Sequence, residues 1–153
     1  LIALAQSLDE KPLILRSVQE VNERQPLRLL ELLEGKIGRL KGKRIAVLGL
    51  AFKNDTDDIR ESRSIPVIMK LKEEGADIVA YDPKAADSMK RLIQDIEYCP
   101  TAADALREAD ACIVMTEWPE FSELDEEFDR MRSRVIIEGR RILSCRDIEG
   151  ICW

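Results

Sequence analysis

Two hydrophobic rhythms divide the chain. Over residues 1–34 apolar positions recur at helical spacing: Ile14, Val18, Val21, Leu29 and Leu32 step by three and four, with Gln25 filling the same stripe. A short apolar piece from Leu1 to Leu8 precedes them. Asp9-Glu10-Lys11-Pro12 interrupts the pattern, and Pro12 suits a first helical turn. Pro26 should kink the helix or start a new segment. Residues 35–43, GKIGRLKGK, read as a linker. From Arg44 short apolar runs alternate with amphipathic stretches. Strands are expected over 44–50, 77–82, 96–99, 110–116 and 134–138, and helices over about 61–74, 85–94, 101–108 and 121–131. Gly75 suits a helix stop and Thr101 a helix cap.

The first and fourth strands are apolar almost throughout, as strands covered on both faces are. Strand and helix alternating through short connections predict an α/β fold. The expected architecture is a Rossmann-like doubly wound parallel sheet of about five strands, preceded by a long helical segment. Residues 1–34 form the helical segment, 35–43 the linker and 44–153 the α/β domain.

Composition narrows the function by exclusion. The chain has 153 residues, with 24 Lys and Arg against 30 Asp and Glu, so its net charge of −6 speaks against nonspecific nucleic-acid binding. There is no run of about 18 apolar residues to span a membrane. The chain opens on Leu1 in helical character and reads as part of a longer protein. Histidine is absent, which removes the usual general base and His-based metal sites. Cys99, Cys112, Cys145 and Cys152 form no C-x-x-C pair, so neither zinc nor dithiol chemistry is expected, and reduced thiols fit a cytoplasmic protein.

In a doubly wound sheet, ligands sit beyond the carboxyl ends of the strands. Four loops answer that description: residues 51–61, Asp82-Pro83, Glu117-Trp118-Pro119 and residues 138–141. They carry Lys53, Arg60, Arg140 and Arg141, cations suited to phosphate or sugar hydroxyls, but Asp55, Asp57, Asp58 and Glu138 could equally pair with them. Phe52 reads as core by pattern alone, although it could stack on a base. Trp118, in a short polar loop, is better placed for a site. Asp57 and Asp58 are adjacent, which is awkward for a shared metal and favours loop structuring with Arg60. An acid ending the second strand, Asp82, would grip ribose in a dinucleotide fold, but the Gly-x-Gly-x-x-Gly fingerprint is missing.

The segment GLAFKNDTDDIRES (residues 49–62) closely resembles the C-terminal domain signature of the UDP-glucose/GDP-mannose dehydrogenases. YDP at 81–83, TEWPEF at 116–121 and Gly139-Arg140 follow in the family's order, and VNERQ at 21–25 looks like its linking helix. The resemblance implies an enzyme that oxidises a nucleotide-sugar alcohol to the acid in two NAD-dependent steps. NAD would be held mostly by an N-terminal domain outside this chain, and a central helix would support a homodimer. It further implies that Phe52, Lys53 and Arg140 contact a UDP-sugar and that Arg60 approaches NAD. Asp57, Asp58, Glu117 and Trp118 would support them, with no metal. The family's nucleophilic cysteine lies in a Gly-Gly-Ser-Cys context that none of the four cysteines shares. The catalytic residues are therefore expected elsewhere, and this chain alone is expected to be inactive. UDP-glucose is the substrate most resembled; GDP-mannose and UDP-N-acetylmannosamine enzymes share the frame. Outside that family, a nucleotide sensor, a dimerisation fragment and a phospho-receiver domain compete. The receiver is disfavoured because Cys99-Pro100 follows the third strand and arginines follow the fifth.

Overall fold

The structure, a computed structural model, describes residues 1–144 and 148–150. Cys145 and Cys152 lie outside the described residues. Strands β1 (Arg44–Leu48), β2 (Asp77–Tyr81), β3 (Glu97–Tyr98), β4 (Ala111–Val114), β5 (Ile136–Glu138) and β6 (Ile148–Gly150) form one sheet in the order β3-β2-β1-β4-β5-β6. Every pairing is parallel. All five expected strands are present, each trimmed at one or both ends, and β6 is an addition at the edge.

The central pair explains the core. Ile45 to Leu48 of β1 and Ala111 to Val114 of β4 have no exposed side chain, and they pair in register from Ile45 against Ala111 to Leu48 against Val114. Both are continuous apolar runs, as a strand sandwiched between helical layers requires. Helix α4 (Ser64–Glu73) packs on β2, and α6 (Ala102–Leu106) packs on β1 and β2 beside α7 (Asp125–Phe128). Helix α5 (Ala86–Leu92) buries Met89.

Local signals set several boundaries. Gly75 ends α4 at φ +75: its N–H reaches Lys72 O and the Ala76 N–H reaches Leu71 O, a paired closure that a left-handed residue permits. Thr101 Oγ1 accepts the Asp104 N–H at 3.1 Å and caps α6. The helix expected over 121–131 is replaced by a 3₁₀ turn, Pro119–Glu123, and the four-residue α7. Pro119 starts the turn, and Phe121 and Phe128 are buried on either side of the break.

The N-terminal segment divides where Pro26 stands. Helices α1 (Ile2–Ser7) and α2 (Leu13–Arg24) bury no residue, whereas α3 (Arg28–Ile37) buries Leu29, Leu30 and Leu33 against β4, β5 and β6. A 3₁₀ turn at Gln25–Leu27 separates the two parts: beyond it Leu29 and Leu33, not Leu32, are fully buried, and before it Ile14, Val18 and Val21 face outward. The helix also runs three residues into the stretch read as linker, and Leu40 is buried there. No helix among the described residues is long and apolar enough to cross a membrane.

Removing residues 1–24 should therefore change unfolding free energy by less than about 0.5 kcal/mol, because α1 and α2 bury nothing. Leu33→Ala should cost about 2–4 kcal/mol as a core truncation. Equilibrium urea unfolding of both variants checks the pair.

Candidate functional site at the carboxyl ends of the strands

The strand order reverses between β1 and β4, so the loops leaving them part and open a crevice at that end of the sheet. The sequence closes the floor of this crevice itself. Gly49 follows β1 at φ +91, and a Cβ there would lie 2.6 Å from the Thr116 nitrogen, so only glycine fits. The Thr116 hydroxyl donates to Ala51 O at 2.8 Å. The hydroxyls of Ser62 and Ser64 donate to Leu50 O at 2.7 and 3.2 Å.

Asp82 binds three loops at once. Its Oδ2 accepts the backbone N–H of Leu50 at 2.6 Å, that of Ala51 at 3.0 Å and the Trp118 indole N–H at 3.1 Å. Its Oδ1 accepts the N–H groups of Lys84 and Ala85 at 2.9 and 2.7 Å. Asp82 is 3% exposed, and these five donors supply what water would otherwise give a buried carboxylate. The side chain points into the protein and is not available to grip a ribose. Trp118, expected at a ligand surface, is instead 4% exposed, with Lys84 Nζ 5.7 Å from its ring centre.

The candidate ligand residues stand outside this floor. Phe52, read as core by its pattern, is 43% exposed, because the clamped backbone of Leu50 and Ala51 turns outward at its position. Lys53 beside it is exposed. The Phe52 N–H returns to Asp58 O at 2.8 Å and closes the loop, while Asp55 and Glu61 take left-handed backbone at φ 59 and 60. Arg60 is gripped by Asp58 through Nε–Oδ1 at 3.0 Å and NH2–Oδ2 at 2.8 Å, although its side chain is 87% exposed. Asp57 is exposed and Glu117 partly so. Arg140 is largely covered; its Nε donates to Met115 O at 3.3 Å and lies 3.5 Å from Glu117. Glu138 takes the N–H groups of Ile142 and Leu143 and shapes the turn that carries Arg140. Arg141 is exposed at φ 54.

Lys53 and Arg140 thus reach the same end of the sheet through one relay: Arg140 to Met115, Thr116 to Ala51, and Ala51 to the Phe52-Lys53 pair. The reading of residues left Asp82 weakly placed and missed Ser62, Ser64 and Thr116. The Asp-Pro pair closing a strand was the available signal, since an aspartate there can accept N–H groups two and three residues on.

No group of three His, Cys, Asp or Glu side chains that could hold a metal occurs among the described residues. NAD does not fit this crevice. The glycine-rich turn is missing, Thr116 and Trp118 occupy the approach, and the acid after β2 is spent inside the protein.

A parallel sheet in this order, with polar side chains gathered where the order reverses, defines a Rossmann-like α/β domain. A family model described as the UDP binding domain of the UDP-glucose/GDP-mannose dehydrogenase family matches residues 46–145, and the chain belongs to that family. It is 50% identical over 147 residues to the UDP-glucose 6-dehydrogenase AglM of Haloferax volcanii, covering 96% of this chain and 34% of that protein. It is 32% identical over 153 residues to the UDP-glucose 6-dehydrogenase TuaD of Bacillus subtilis, covering 98% of this chain and 33% of that protein. The solved UDP-glucose dehydrogenase of the hyperthermophilic archaeon Pyrobaculum islandicum has a TM-score of 0.89 at 34% identity, over 99% of this chain and 35% of that one. The chain spans about a third of the length of these relatives.

The Arg60 side chain, and next its N–H, hold the Asp58 carboxyl down to about 2 from 3.8. A depressed carboxyl contributes its pairing above the unfolded value and loses it as pH falls through the folded one. The Asp58 carbon resonance should therefore titrate near pH 2, and Arg60→Ala should return it toward 3.8. Burial pushes the Cys99 thiol up to about 11 and the fully enclosed Cys112 thiol higher still. Neither is poised as a nucleophile. With Cys145→Ser and Cys152→Ser in place, a disulfide reagent at pH 8 should label nothing until the protein is denatured.

Proposed function

We propose that residues 44–153 hold the nucleotide sugar of an NAD-dependent dehydrogenase that oxidises UDP-glucose to UDP-glucuronate in two hydride transfers. The observation that carries this reading is the clamped floor beneath Phe52 and Lys53. It presents an aromatic ring and a cation outward at a switch point, with Arg140 joined to the same relay. UDP-glucose is favoured over other nucleotide sugars because the relatives at 50% and 32% identity are both named UDP-glucose 6-dehydrogenases. In this reading Lys53 meets phosphate or sugar oxygens, Phe52 lies against the base or sugar, and Arg140 pairs with phosphate or a sugar hydroxyl.

The chain binds and the chemistry is supplied by another part of the protein. The cysteine nucleophile and the NAD fingerprint belong to an N-terminal domain. Arg60 would face NAD held by that other domain, with Asp57, Asp58, Glu117 and Trp118 holding the surrounding loops. Residues 1–34 belong to a dimerisation region, consistent with the outward apolar side chains of α1 and α2: Leu4 59%, Leu13 69%, Ile14 80% and Val21 59% exposed. A homodimer in the cytoplasm completes the proposal.

Calorimetric titration with UDP-glucose, GDP-mannose and NAD separately is the test. UDP-glucose should bind, with affinity lowered by about tenfold or more in Lys53→Ala and Arg140→Ala, the loss expected for one charge-assisted contact. Equal binding of GDP-mannose would defeat the choice of substrate. Binding unchanged in both variants of the intact dehydrogenase would defeat the site.

A further inference from the structure

We propose that Asp82 is a positioning residue for nucleotide-sugar binding: it sets the place of Lys53 by holding the loops after β1, β2 and β4 on one carboxylate. The inference deepens the preceding reading and rests on it. Oδ2 takes both N–H groups immediately before Phe52, and the carbonyls of the same two residues are taken by Ser62, Ser64 and Thr116. The peptide groups leading into the Phe52-Lys53 pair therefore have little freedom left. The same oxygen also holds the Trp118 indole, two residues beyond Thr116 and beside Glu117, the partner of Arg140. One acceptor thus couples the cation of the β1 loop to the arginine of the β5 turn.

Asparagine at position 82 tests this without changing shape. An amide has one acceptor oxygen, so its NH2 would face either the pair from Lys84 and Ala85 or the three donors from Leu50, Ala51 and Trp118. Trp118→Phe removes one donor and is the milder variant, available if Asp82→Asn does not fold. Hydrogen exchange on the 153-residue chain should be faster at residues 50–53 in Asp82→Asn, and faster to a lesser degree in Trp118→Phe, with exchange in β4 unchanged. In the intact dehydrogenase Asp82→Asn should raise KM for UDP-glucose by about tenfold and change kcat by less than about threefold. Adding Lys53→Ala should then raise KM by no more than about twofold, because the lysine is already misplaced. Multiplying effects of the two substitutions would overturn the proposal, as would unchanged exchange at residues 50–53. An unchanged KM in Lys53→Ala alone would instead overturn the site reading, and the exchange result would still decide whether Asp82 holds the loop.

Discussion

The carboxylate of Asp82 is the interaction on which this end of the molecule depends. A buried carboxylate costs several kcal/mol unless donors replace its water. Here backbone and indole N–H groups replace it. If one loop moved, donors and acceptor would both be left unpaired in the interior, each at about 1–3 kcal/mol. The strand ends are therefore a rigid platform, and the exposed residues beyond them are where adjustment to a ligand can occur.

That platform exists because β1 and β4 are neighbours. Their pairing brings Gly49 within van der Waals contact of Thr116, and the close approach both demands glycine and lets the threonine hydroxyl reach Ala51 O. In a dinucleotide-binding sheet the corresponding crevice is lined by a glycine-rich turn with room for a pyrophosphate. In this domain the space is filled by serine and threonine hydroxyls and an indole. The same topology is thereby turned from an internal dinucleotide cleft into an outward-facing surface.

The two ends of the N-terminal segment have different physical standing. Helix α3 is part of the core through Leu29, Leu30 and Leu33, while α2 leaves Ile14, Val18 and Val21 in water. A groove of about 510 Å³ runs between α1, α2 and the bend at Glu61 and Arg63, so the free helices abut the loop that carries Arg60. An apolar face left in water has a thermodynamic incentive to be covered.

Periodicity alone was enough for the alternation of strand and helix, the parallel sheet and the two fully buried strands, because burial on both faces leaves a continuous apolar run that little else produces. Gly75 and Thr101 were legible for a similar reason: helix ends are local events decided within a few residues. The buried face of the N-terminal stripe was only partly legible: Leu29 is fully buried, but its fully buried neighbour one turn on is Leu33 and not Leu32, and spacings of three and four suit one helix face equally. Nor were the exposures of Phe52 and Trp118, which pattern and loop position suggested the opposite ways round. What decided them was the meeting of Leu50, Ala51, Asp82 and Trp118, residues up to 68 positions apart in the chain, around one carboxylate. Local sequence sets what each segment can form; which side chain is left facing water depends on where distant segments place their hydrogen-bond donors, and only the folded chain brings those together.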